Sequence, residues 1–100
     1  SLNEWINFCI KMLKPKGFFY MINRAEAAPE ILASIIGKLG NINVIPIYSK
    51  EGQNAKRVII AAQKDTKAAA KIHPPVIIHD ADGKYSSLAN GILRLGFTLE

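Results

Sequence analysis

Only one cysteine, Cys9, stands among the 100 residues, so no disulfide can form within the chain. Cys9 falls on the apolar side of the first helical segment, where a small buried thiol is the expected state. No apolar run reaches the roughly twenty residues that a membrane-spanning helix requires. The first residues lack the basic-then-apolar pattern of a signal peptide. A reduced, cytoplasmic setting follows as the expectation. Acidic residues are few: 8 Asp and Glu against 13 Lys and Arg give a formal charge of +5. That balance suits an anionic partner such as nucleic acid. Met is missing from the first position, which Ser1 occupies, and a piece of a longer protein is expected. At this length there is one domain at most, with a modest core.

What is present reads as an α/β pattern. Leu2, Trp5, Ile6, Cys9, Ile10 and Leu13 recur at helical spacing. Lys11 and Lys14 would complement the helix dipole, Pro15 stops the helix, and Gly17 releases the turn. Residues 17–22 (GFFYMI) form a continuous apolar run, as in a strand buried on both faces. Pro29 marks a second helix whose buried stripe would be Ala28, Ile31, Leu32, Ile35, Ile36 and Leu39, closed by Gly40. Residues 43–48 (NVIPIY) read as a strand, with Pro46 arguing for an edge. Residues 55–63 (AKRVIIAAQ) read as its antiparallel partner. Residues 64–71 read as an exposed basic linker. Residues 74–78 form a short extended segment, Asp80–Gly83 a turn, and Ser86 can cap a last helix through Leu95. The expected division is an α/β core over residues 1–63 and a linker and tail over 64–100.

Several motifs lead nowhere. Setting Gly83 at the sixth position of a calcium loop puts Ile78 first and Ala89 twelfth, neither of them a side-chain ligand. His73 and His79 have no third ligand at metal-like spacing, so no metal site is expected. No chemistry attaches to His79, Asp82 or Tyr85. Trp5, Phe18, Phe19 and Tyr20 are expected in the core rather than exposed for base stacking.

The polar residues that remain are the candidates. Asn23 and Arg24 end an otherwise apolar strand, and ligands in open α/β sheets sit at the carboxyl ends of strands. Arg24 can hold a phosphate bidentately. The alternative is an ion pair with Glu26 or Glu30. Lys56, Arg57, Lys64 and Lys67 could follow an RNA backbone, with Lys71 beyond them. The alternative is a solvated strand edge guarded by charge.

The Leu13-Lys14-Pro15-Lys16-Gly17 junction between helix and strand, and the ordered set that follows it, resemble the C-terminal half of class I, Rossmann-like S-adenosylmethionine-dependent methyltransferases. That family carries an "LKPGG"-type turn before its fifth strand. One glycine of that turn is Lys16 here. The stretches AKRVIIAAQK and PPVIIHDADGKYSSLANGIL are most similar to bacterial tRNA (valine) adenine-N6 methyltransferases. The resemblance implies a partial Rossmann-like sheet ordered helix-strand-helix-strand-strand, with a terminal antiparallel hairpin and a C-terminal tail. It places the 17–22 strand beside the second hairpin strand, with its other edge facing a fourth strand that this chain lacks. It also implies tRNA and a missing N-terminal half as partners, and S-adenosylmethionine as the cofactor of the full-length parent.

The family's Gly-rich cofactor turn, its acidic ribose partner and its Asn-Pro-Pro-Tyr-type adenine motif do not occur here. "HPP" at His73–Pro75 lies after the hairpin and puts His73 where that motif has an Asn. No catalytic, cofactor-binding or metal residue is therefore assigned, and the chain alone is expected to be inactive. Two alternatives remain open. One is a methyltransferase acting on DNA, protein or a small molecule. The other is a non-catalytic basic α/β module that binds RNA or a partner. An apolar unpaired strand edge would also favour a homo-oligomer.

Overall fold

In the computed structural model, residues 1–49 and 52–77 are described. The turn expected at Asp80–Gly83, the helix from Ser86, and His79, Asp82 and Tyr85 lie outside them. The element order is α1 (Leu2–Met12), β1 (Phe18–Arg24), a 3-10 turn (Ala25–Ala27), α2 (Ala28–Ile35), β2 (Gly40–Tyr48), β3 (Arg57–Gln63), β4 (Lys71–Ile72) and β5 (Val76–Ile77). The sheet runs β1-β3-β2-β4, with β5 also on β2. Strands β1 and β2 each lie antiparallel to β3, and the short β4 and β5 lie parallel to β2.

The expected class, a mixed α/β sheet with an antiparallel hairpin, is the observed one. β3 does pair with β1, inserting between it and β2. Both faces of β3 are packed. Val58, Ile60 and Ala62 meet Ile6, Ile10, Ile31 and Ile35 of the two helices, while Ile59 and Ala61 cluster on the other face with Ile45 and Ile47. The strand buried on both faces is thus β3 and not β1, which is only partly buried and, among the described residues, pairs on one edge alone.

Local chemistry moves several boundaries. Ser1 and Glu4 form a capping box, which sets the start of α1. The end of α2 comes earlier than Leu39. Ile36 (φ −60°, ψ 131°) and Gly37 (φ 84°) form a type II turn closed by the Lys38 N–H on the Ile35 carbonyl at 3.0 Å. Gly37 is therefore the helix terminator, and Ile36, expected in the buried stripe, is 64 % exposed.

Gly40 opens β2 instead. A β-carbon there would fall 2.0 Å from the Thr66 carbonyl oxygen, so the 64–70 connection crosses β2 at a point only glycine allows. That connection is exposed, as expected, yet it is tied down: the Asn41 N–H donates to the Ala68 carbonyl at 3.0 Å.

Contrary to expectation, Pro46 does not lie on an edge strand, because β2 is flanked by β3 on one side and by the short β4 and β5 on the other. The Val44 carbonyl accepts from His73 N–H on the tail side, while the Ile47 carbonyl accepts from Lys56 N–H on the β3 side. Backbone polar groups alternate in direction along a strand. Pro46, like Val44, therefore turns its missing donor toward the tail, between β4 and β5.

Trp5 departs furthest from expectation. It is 56 % exposed, as is Phe8, and Met12 is 70 % exposed. These three share one side of α1, with the Trp5 and Phe8 rings stacked at 6.0 Å. Ile6 and Ile10 take the core side instead. Phe19 is buried, and Phe18 and Tyr20 pack partly buried on the opposite sheet face.

Candidate nucleic-acid interface

The six candidate residues fall into two groups at opposite ends of the sheet. Asn23 and Arg24 lie within β1 rather than after it, paired with Val58 and Arg57. Lys56 joins them through its carbonyl, which accepts from the Ala25 N–H at 2.9 Å. Lys64 and Lys67 follow the far end of β3, about 20 Å away across a seven-residue strand pair.

At the first end, Arg24 and Arg57 are directly opposite in the antiparallel ladder, so both side chains leave the sheet on the face away from the helices. Like charges so placed repel. Arg24 is partly offset by Glu26, at 3.5 Å between exposed groups, which is the ion pair set against function above. An exposed pair of this kind contributes little. Among the described residues, the side chains of Arg57 and Lys56 have no ion-pair or hydrogen-bond partner. Asn23 turns inward: its Oδ1 accepts from the Arg24 N–H at 2.8 Å. It is a positioning residue for the strand end rather than an exposed contact. A shallow recess of about 460 Å³ lies beside it, lined by Leu2, Asn23, Arg24, Glu26, Ala27 and Glu30.

At the second end, Lys64 is structural. Its Nζ donates to the carbonyls of Leu13 at 3.0 Å and Ile10 at 3.4 Å, capping the C-terminus of α1. Lys67 is exposed and lines a larger cleft of about 720 Å³ with Lys16 and Lys38, residues not singled out in the sequence. The available signal was the turn itself: Lys16 stands where the resembling turn has glycine, and its φ of 65° is the left-handed conformation that favours glycine.

His73 holds the tail rather than a ligand. Its Nε2 meets Asn43 Oδ1 at 2.6 Å. Among the described residues, no group of three His, Cys, Asp or Glu side chains could hold a metal ion. No helix among them is long and apolar enough to cross a membrane.

No family model and no curated protein matches the chain. Among solved structures it is similar to a predicted O-methyltransferase, protein Atu636 from Agrobacterium tumefaciens, with a TM-score of 0.75 and 23 % identity. The match covers 89 % of this chain and 45 % of that one, so the chain spans less than half of its structural neighbour. The fold is methyltransferase-like.

Proposed function

We propose that the chain is the C-terminal part of an S-adenosylmethionine-dependent methyltransferase that modifies an adenine amine in tRNA. The observation that carries this reading is the strand order. β3 follows β2 in the chain yet inserts antiparallel between β1 and β2, downstream of a helix, the Leu13–Gly17 turn and an apolar strand. Among the described residues β1 pairs on one edge alone; its other edge and the exposed Trp5, Phe8 and Met12 are the surfaces on which an upstream half would pack. The neighbour's name points to oxygen as acceptor, but at 23 % identity the likeness concerns the fold. The RNA reading is supported instead by Arg24, Lys56 and Arg57, a basic group at the carboxyl end of β1 where a substrate phosphate would lie.

The sulfonium cofactor supplies an already electrophilic methyl group, so the protein's work is orientation and exclusion of water. This chain's share is to hold the RNA backbone. The cofactor's seat is not assigned to any of its residues, because the Gly-rich turn and the acidic ribose partner are absent from the sequence. Isothermal titration with S-adenosylmethionine tests the division of labour. The full-length protein is expected to bind and this chain alone to give no saturable signal. Micromolar binding by the chain alone would contradict the reading.

A further inference from the structure

The larger cleft is bounded by three backbone segments: the Leu13–Gly17 turn, the Gly37–Gly40 turn and the 64–70 connection. Among the described residues, Lys16, Lys38 and Lys67 line it, against the single carboxylate of Asp65. Two of these ammonium groups are held by neutral oxygens. Lys16 Nζ donates to the Asp65 carbonyl and Lys38 Nζ to Asn7 Oδ1. Each retains further donors, since an ammonium has three. Lys67 has no hydrogen-bond or ion-pair partner among the described residues. Among the described residues, the positive charge gathered here is therefore offset only in part, by Asp65.

Two residues on this rim, Lys16 (φ 65°) and Asp65 (φ 60°), are held in the left-handed region at some cost, although glycine would occupy it freely. In this conformation the Lys16 side chain spans the gap to the 64–70 connection.

We propose that this cleft holds backbone phosphates of RNA, as an anchor separate from the Arg24–Arg57 end; the proposal rests on the RNA reading above. Among the described residues, the lining contains no aromatic side chain on which a base could stack and no arginine fork for a single enclosed anion. Lysines on an open cleft act as point charges, which suits a polyanion passing across it and gives sequence-independent hold. With the arginine pair about 20 Å away along the strands, the RNA would be gripped at two points on the sheet.

The test is fluorescence anisotropy of this chain with a labelled tRNA transcript, over a salt series. Glycine suits the backbone at position 16, so K16G/K38Q/K67Q removes three charges without straining the turn. It should weaken binding about tenfold or more at low salt and flatten the slope of log K against log salt by about two to three. K67E, at an exposed residue without a partner, should lose affinity several-fold with unchanged thermal unfolding. Unchanged affinity and slope in both variants would overturn the proposal. If R24Q/R57Q weakened binding in that case, the RNA reading would stand without the cleft. No binding by the unaltered chain at low salt would overturn both for this chain. Displacement of the RNA by inorganic phosphate at matched ionic strength would assign the cleft to a free anion instead.

Discussion

His73 Nε2 lies 2.6 Å from the amide oxygen of Asn43, a side chain only 2 % exposed. The Asn43 amide nitrogen is already committed to the Asn41 carbonyl at 2.8 Å, so its oxygen is the acceptor and the proton sits on Nε2. Asn41 in turn donates to Gln63 Oε1, and Gln63 donates to the Lys16 carbonyl. This chain of amides joins the Leu13–Gly17 turn, the ends of β2 and β3, and the tail. His73 is thereby accounted for as the clasp of the sheet edge. A double-mutant cycle with Asn43→Ala and His73→Ala should give each single change a loss of about 1–3 kcal/mol, with clear non-additivity in the pair. Additive losses in chemical denaturation would mean the two residues act independently.

Gly40→Ala should be severe. The added methyl would meet the Thr66 carbonyl, and relief requires moving the 64–70 connection. A loss of about 3 kcal/mol is expected, at the upper end for overpacking. Gly37→Ala introduces no clash but strains a φ of 84°, so its smaller loss of about 1 kcal/mol comes from the backbone alone. Thermal unfolding should rank Gly40→Ala well below Gly37→Ala.

Lys64→Met separates structure from binding. Losing the cation that caps α1 should cost about 1 kcal/mol, or roughly 4–8 °C in Tm for a chain of this size. The salt dependence of RNA binding should stay as it was, because the Lys64 Nζ is spent on the Leu13 and Ile10 carbonyls. A flattened salt slope with unaltered Tm would return Lys64 to the RNA-contacting set.

The legible and illegible parts divide along a physical line. Local signals were readable: Pro15 and Gly17 at the helix-strand junction, and the two consecutive strands, without a helix between them, that implied the hairpin. The Ser1–Glu4 capping box was also there to be read, in its Ser-x-x-Glu spacing. The end of α2 was expected at Gly40 and falls at Gly37, because which of two nearby glycines ends a helix depends on a dihedral the sequence does not display. Long-range partners could not be read. The cation that caps α1 comes from Lys64, some fifty positions on, rather than from Lys14 beside it. The exposure of Trp5 depends on what packs against α1, and no periodicity reports that. The Lys16, Lys38 and Lys67 cleft depends on three loops converging at one end of the sheet.

Self-association is expected of this chain in isolation. Among the described residues β1 pairs only with β3, the strand is largely apolar with Ile22 41 % exposed, and Trp5, Phe8 and Met12 stand exposed along one side of α1. Light scattering across a concentration series should show rising mass. Trp5→Gln, Phe8→Gln and Met12→Gln together should reduce the rise if the helix face carries it, and leave it unchanged if strand pairing does. A strictly monomeric, well-folded chain would contradict both routes and favour a self-contained module.

Methyl transfer itself is the most direct test. The full-length protein containing this chain should be incubated with methyl-labelled S-adenosylmethionine and unmodified tRNA, and the RNA digested to nucleosides. The account predicts label in N6-methyladenosine, with R24Q/R57Q in the same protein weakening tRNA binding and cutting the rate at sub-saturating tRNA. Label on the oxygen of a small molecule or on protein, with none in the RNA, would contradict it.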